Sequence, residues 1–153
     1  MKTLQAMIAA FAMTASMAQA ADIYGGIALD YGRPHSGEAR QHGTVLVGTR
    51  ISSQLGFFAA EADVGADFGD ADYSTLRARG IYGTSFGNFV GFGSLGGTLY
   101  RDNGKSYTSL NAGIGAEKNI TSRLRVRGEI IRDFMPNYTT SVTVLRAGLV
   151  QDF

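Results

Sequence analysis

The chain closes on Val144-Leu145-Arg146-Ala147-Gly148-Leu149-Val150-Gln151-Asp152-Phe153. Counting back in twos from Phe153 gives Gln151, Leu149, Ala147, Leu145 and Thr143, while the alternate positions carry Asp152, Val150, Gly148 and Arg146. A period of two with an arginine on one face describes a strand lying between two different environments. That pattern recurs back along the chain and decides its architecture.

The seventh segment, 123–134, shows it best: Leu124, Val126, Gly128 and Ile130 stand against Arg125, Arg127, Glu129 and Ile131. Further strands are predicted over 22–31, 42–51, 55–66, 73–85, 89–101, 106–118 and 139–153. In the fifth, 89–101, glycines occupy both faces and the phase stays open. Polar and Gly/Pro-containing connections separate the segments: 32–41 (GRPHSGEARQ), 52–54, 67–72 (DFGDAD), 86–88, 102–105 (DNGK), 119–122 and 133–138 (DFMPNY). The Asn-Gly in DNGK is a strong two-residue hairpin signal.

Eight strands of about 10 residues match the length a tilted strand needs to cross a bilayer. An even number brings both ends to one side. The longer connections follow the first, third and seventh strands and would face outside, leaving short turns and both termini periplasmic.

Charge placement separates a lipid-embedded barrel from a soluble sandwich. Arg50, Glu61, Asp63, Arg77, Arg79, Glu117, Arg125, Arg127, Glu129 and Arg146 all fall on the face opposite the aliphatic residues. In a sandwich that face would meet water; in a barrel it fills the lumen and the aliphatic face meets lipid. The aliphatic face is thin, with Ala, Gly and Thr among Leu, Ile and Val, which suits fluid lipid better than a close-packed core. Aromatics stand near the predicted strand ends: Tyr31, Phe68, Tyr73, Phe86, Phe89, Tyr100, Tyr107, Phe134, Tyr138 and Phe153. Interfacial girdles belong there. The fold expected is all-β: an eight-stranded antiparallel transmembrane barrel in up-and-down order. Six arginines against four carboxylates leave the lumen short of acid, to be met by Asp30, Asn111 or water.

Residues 1–20 (MKTLQAMIAAFAMTASMAQA) read as a cleaved signal peptide, with Lys2 as the basic region, an apolar stretch from Leu4 to Met13, and Ala18-Gln19-Ala20 as the cleavage site. The barrel domain is then 21–153, carrying 13 basic and 13 acidic residues. No basic excess points to nucleic acid. No cysteine is present, so stability comes without disulfides.

The cleavage site, Leu124-Arg125-Val126-Arg127-Gly128-Glu129 after its turn, Gly113-Ile114-Gly115-Ala116-Glu117 and Phe153 together resemble the small outer-membrane β-barrel family that includes the membrane domain of OmpA and the OmpX-like proteins. The resemblance implies a cell outer-membrane location in a Gram-negative envelope and insertion by the barrel assembly machinery, with Phe153 as the assembly signal. It also implies contact with outer-membrane lipid and lipopolysaccharide.

Other motifs are weaker. Gly91-Phe92-Gly93-Ser94-Leu95-Gly96 fits G-x-G-x-x-G, but no helix follows, so nucleotide binding is not expected. His35 and His42 flank the first long connection with Ser36 and Glu38; a lipid-modifying site there lacks a specifying spacing. Asp67, Asp70 and Asp72 read as a solvated acidic loop. No catalytic residue, cofactor or metal site is assigned. The expected role is structural or surface-interacting, with Gly32–Gln41 as the main contact loop for a surface partner. A narrow pore for ions or small solutes is the alternative, followed by a lipid A-modifying enzyme.

Overall fold

The computed structural model describes residues 21–35, 38–69, 72–135 and 141–153. They form eight strands: β1 (Asp22–Pro34), β2 (Arg40–Ser53), β3 (Gly56–Asp67), β4 (Ser74–Phe86), β5 (Phe89–Asp102), β6 (Lys105–Asn119), β7 (Leu124–Phe134) and β8 (Val142–Asp152). Each pairs antiparallel with the next, and β8 returns to β1, giving a closed barrel in meander order. Closure leaves no unpaired edge, the condition a strand must meet away from water. The first and last strands meet along a register that sets Asp30 opposite Arg146. Both ends of the barrel domain therefore lie beside the short turns at 54–55, 87–88 and 120–123. The opposite rim carries the connections at 35–39, 68–73, 103–104 and 135–141.

The Asn-Gly signal forms as expected. Asn103 and Gly104 take positive φ of 50° and 75°, the two-residue hairpin geometry that suits the right-handed twist of the flanking strands. At 120–123 the turn is closed by side chain instead: Thr121 Oγ1 accepts from the Leu124 amide at 3.0 Å.

The two faces sort as the alternation requires. Ile27, Leu29, Val45, Leu95 and Ile114 point outward, and Leu95 is 70% exposed. Arg77, Arg127 and Asp133 point inward and are 0–1% exposed. Apolar outside and charged inside is the inverse of a water-soluble domain. The open phase of β5 resolves with Phe92, Ser94, Thr98 and Tyr100 inside and Phe89, Leu95 and Leu99 outside.

Near the turn end, three inward aromatics lie across glycines on the neighbouring strand. Tyr24 is opposite Gly48, Phe57 opposite Gly83, and Phe92 opposite Gly115. A Cβ on any of these glycines would sit 2.3–2.4 Å from the facing ring. Only a residue without a side chain leaves that seat open, and the ring in return shields the glycine backbone. Gly83→Val is expected to cost about 1–3 kcal/mol through overpacking. Urea unfolding of the reconstituted protein measures it, and an unchanged midpoint would mean that Phe57 has room elsewhere.

Three sequence-based expectations change. Asp133, assigned to the DFMPNY connection, lies inside β7 and faces the lumen. Within the expected connection 32–41, β1 continues to Pro34 and β2 begins already at Arg40, so the first connection shortens to 35–39. Of the expected girdle, Tyr31, Phe68, Phe86, Phe89, Phe134 and Phe153 are exposed, but Tyr100 is buried at 4% exposure and points into the barrel. Tyr138 lies outside the described residues.

Candidate functional site: the charged lumen and its mouth

Alternation places every one of the ten expected lumen residues on the inner face, and their partners span the barrel. Toward the turn end, Glu61 from β3 is the main junction. It accepts from Arg79 at 2.5 Å and from Arg127 at 2.5 Å, and the Tyr24 hydroxyl donates to it at 3.0 Å. Arg79 also donates to Glu129 at 2.5 Å, and Ser94 Oγ reaches the same carboxylate at 3.1 Å. Glu117 gathers Arg50, Arg125 and Arg127 at 2.8, 2.6 and 2.8 Å. Arg125 continues to Asp152 at 2.5 Å, tying β7 to the closing strand.

The guanidinium planes lie close to aromatic faces. Arg50 lies 3.9 Å from the Phe57 ring centroid, and Arg127 lies 5.3 Å from that of Phe92 and 5.7 Å from that of Tyr24. These are cation–π distances. The same rings that fill the glycine seats thus cap the ion-pair layer.

Toward the opposite end, Arg146 grips Asp30 through two nitrogens at 2.7 Å each and Asp63 at 2.9 Å. Arg77 reaches Asp63 at 3.3 Å and Asp133 at 3.5 Å. Asp133 is the acceptor for the Tyr100 hydroxyl at 2.7 Å, Thr98 at 2.5 Å and Ser109 at 3.2 Å. Arg79 Nε stands 3.9 Å from Asp63 and links the two layers.

Asp30 and Asp133 complete the charge count. With Glu61, Asp63, Glu117 and Glu129 they bring six lumen carboxylates to face Arg50, Arg77, Arg79, Arg125, Arg127 and Arg146. The arginine excess inferred from the sequence disappears. An isolated buried guanidinium or carboxylate would cost several kcal/mol in lost hydration. Pairing most of them with more than one partner, often through Arg forks, offsets that cost.

The remaining candidates do not gather. His42, on β2, is 2% exposed with Nε2 3.5 Å from Asp30. His35 lies beyond the end of β1, and its amide donates to the Ser141 carbonyl at 3.0 Å. Ser36 and Asp70 lie outside the described residues. Asp67 closes a local turn by accepting from the Gly69 amide at 2.7 Å. Among the described residues no group of three metal-ligating side chains occurs.

Above Asp133 the barrel opens into a cavity of about 250 Å³ at the loop-side mouth. Tyr73, Tyr100 and Tyr107 form much of its wall, with Arg40, His42 and Asp102 at its polar positions. The Arg40 guanidinium sits 4.5 Å over the Tyr73 ring and 3.8 Å from Asp102. Burial pushes the Tyr73 phenol up to about 12, so it remains a protonated donor at neutral pH.

No protein-family model and no curated protein matches the chain. Among solved structures, the β-barrel domain of Pseudomonas aeruginosa OprF aligns with a TM-score of 0.58 at 10% identity, over 85% of this chain and 97% of that one. Neisserial surface protein A aligns at 0.56 and 11% identity, over 88% and 98%. Ail, the attachment invasion locus protein of Yersinia pestis, solved with the heparin analogue sucrose octasulfate, aligns at 0.55 and 12%, over 87% and 97%. The chain thus shares the fold of small eight-stranded outer-membrane barrels, as the OmpA/OmpX-like resemblance implies.

Proposed function

We propose that this protein is an outer-membrane barrel with a closed lumen, serving as a structural element of the envelope and a carrier of surface loops. In this reading residues 1–20 direct export and are removed, the barrel assembly machinery recognises the strand ending at Phe153, and both ends of residues 21–153 stay periplasmic. The outward aliphatic face contacts outer-membrane lipid and lipopolysaccharide, and the connections at 35–39, 68–73 and 135–141 are the surface available to a partner. Likeness to Neisserial surface protein A and Ail, one a surface protein and one an attachment protein by name, supports the location and the surface role.

The observation that carries the closed lumen is the ion-pair network itself. Arg77, 0% exposed, and Arg127, 1% exposed, are held by acids from several strands. Eight strands give an interior that side chains can fill. An ion moving along the axis would have to break pairs whose partners have no water to fall back on. Purified protein in planar bilayers is expected to give no steady single-channel current. Reproducible openings that change with Arg127→Ala or Glu129→Ala would replace this reading with a pore.

A further inference from the structure

The two faces of the barrel differ in charge balance. Every carboxylate on the eight strands falls in the inward row of its alternation, while Arg33, Arg101, Arg132 and Lys118 stand in outward rows. The three arginines lie at the loop-side rim, on β1, β5 and β7. Lys118 lies at the turn end, 5.3 Å over the Phe89 ring.

Register brings two of the arginines to one place. Arg33 pairs with Thr143, and Thr143 pairs with Arg132, so a single outward row crosses β1, β8 and β7. Two strand spacings set the arginine backbones roughly 10 Å apart, a gap that two long side chains can close around one small anion. Arg132 donates to the hydroxyls of Thr143 and Ser141, neutral acceptors that orient its guanidinium and leave its charge unmatched. Each of those hydroxyls keeps its own O–H to donate.

The neighbouring row toward the turn end shows what this patch borders on. It holds Tyr31, Leu145 and Ile130, which are 41–50% exposed. A soluble polyanion would leave that apolar wall bare. A lipid would lay its chains along the wall and bring its headgroup to the arginines. Two guanidinium forks backed by hydroxyl donors match a doubly charged phosphate monoester better than a singly charged phosphodiester.

We propose that Arg33, Arg132, Thr143 and Ser141 form a site for the phosphate monoester of a lipid headgroup, of the kind lipid A carries, with its acyl chains against Tyr31, Leu145 and Ile130. The inference rests on the outer-membrane location and orientation proposed above, and names the group that the lipid face holds.

The full mature chain in detergent would be titrated with diphosphoryl lipid A, dephosphorylated lipid A and phosphatidylglycerol, with bound lipid followed by native mass spectrometry. Diphosphoryl lipid A is expected to bind at least tenfold tighter than either of the others. The double variant Arg33→Gln, Arg132→Gln is expected to lose that preference. Arg33→Gln alone gives a second arm should the double variant fail to fold, and is expected to weaken diphosphoryl lipid A at least threefold; heat-modifiable migration on gels reports folding. Arg101→Gln, flanked in register by Ser74 and Ser106 and without a second arginine, is expected to change binding less than twofold. The proposal is overturned if dephosphorylated lipid A or phosphatidylglycerol binds the wild type as tightly, if sucrose octasulfate binds in preference, if the folded variants bind as the wild type does, or if Arg101→Gln weakens binding as much as Arg33→Gln. Orientation is read separately, by labelling Ala39→Cys in the otherwise cysteine-free chain with a membrane-impermeant maleimide on intact cells. An unlabelled loop would overturn the orientation, while the detergent titration still decides the phosphate site.

Discussion

Glu61→Ala is expected to lower the stability of the barrel by about 3–5 kcal/mol, the range for removing one partner of a buried ion pair. Glu61 holds Arg79, Arg127 and Tyr24 together, and its removal leaves two buried guanidinium groups short of an acceptor. Arg79 keeps Glu129 and Arg127 keeps Glu117, so the loss stays within the range for one pair. Since whole domains are stable by only about 5–15 kcal/mol, the effect is a large part of the total. Urea unfolding in lipid vesicles, followed by the gel shift between folded and unfolded forms, measures it. A loss below about 1 kcal/mol would show that water reaches the freed arginines, and the lumen would then not be the dry plug described above.

Leu95→Arg is the second large effect and tests the surroundings instead of the interior. Leu95 stands outward near the middle of β5, 70% exposed, paired in register with Gly80 and Ala112. In water an exposed leucine exchanged for arginine changes stability by about 0.5 kcal/mol or less. At the middle of a bilayer the same exchange on the lipid face of a barrel costs about 2–4 kcal/mol. Leu55, 81% exposed in a turn, provides the comparison, because an arginine near the interface costs only about 0–1 kcal/mol. Equal, small effects at both positions in the same vesicle assay would count against lipid at the Leu95 level.

The architecture was legible because alternation is a local signal. Arg125, Arg127 and Glu129 declare their face within a few residues, and the eight segments repeat that chemistry. Local patterning also explains the misses. Asp133 precedes Phe-Met-Pro-Asn, so composition pulled it into the connection, although its spacing of two from Ile131 continues the inner row. Gly32, Arg33, Pro34, Arg40 and Gln41 read as connection from their polar, Gly and Pro content; two strands that extend one another past a polar stretch leave no periodic mark. Tyr100 looked like a girdle residue from its place near a strand end, but the glycines of β5 hid the phase that sends it inward. The ring-over-glycine pairs needed register, because both partners are visible in the sequence but their alignment is not. The identity of each salt bridge was out of reach, since it depends on how far across the lumen each side chain extends.

The three ring-over-glycine pairs differ from the lumen bridges in when they can form. Tyr24 with Gly48, Phe57 with Gly83 and Phe92 with Gly115 each lie within one hairpin, at the end away from its connection, and are available once two strands meet. Glu61 and Arg127 are 66 residues apart, and Asp30 and Arg146 are 116 apart, brought together only when β8 reaches β1. Short-range pairs hasten folding, and contacts absent until the end mainly slow escape from the native state. In refolding kinetics Gly83→Val should therefore act on the rate of entry and Glu61→Ala on the rate of exit, so that the barrel's persistence is set at its last seam.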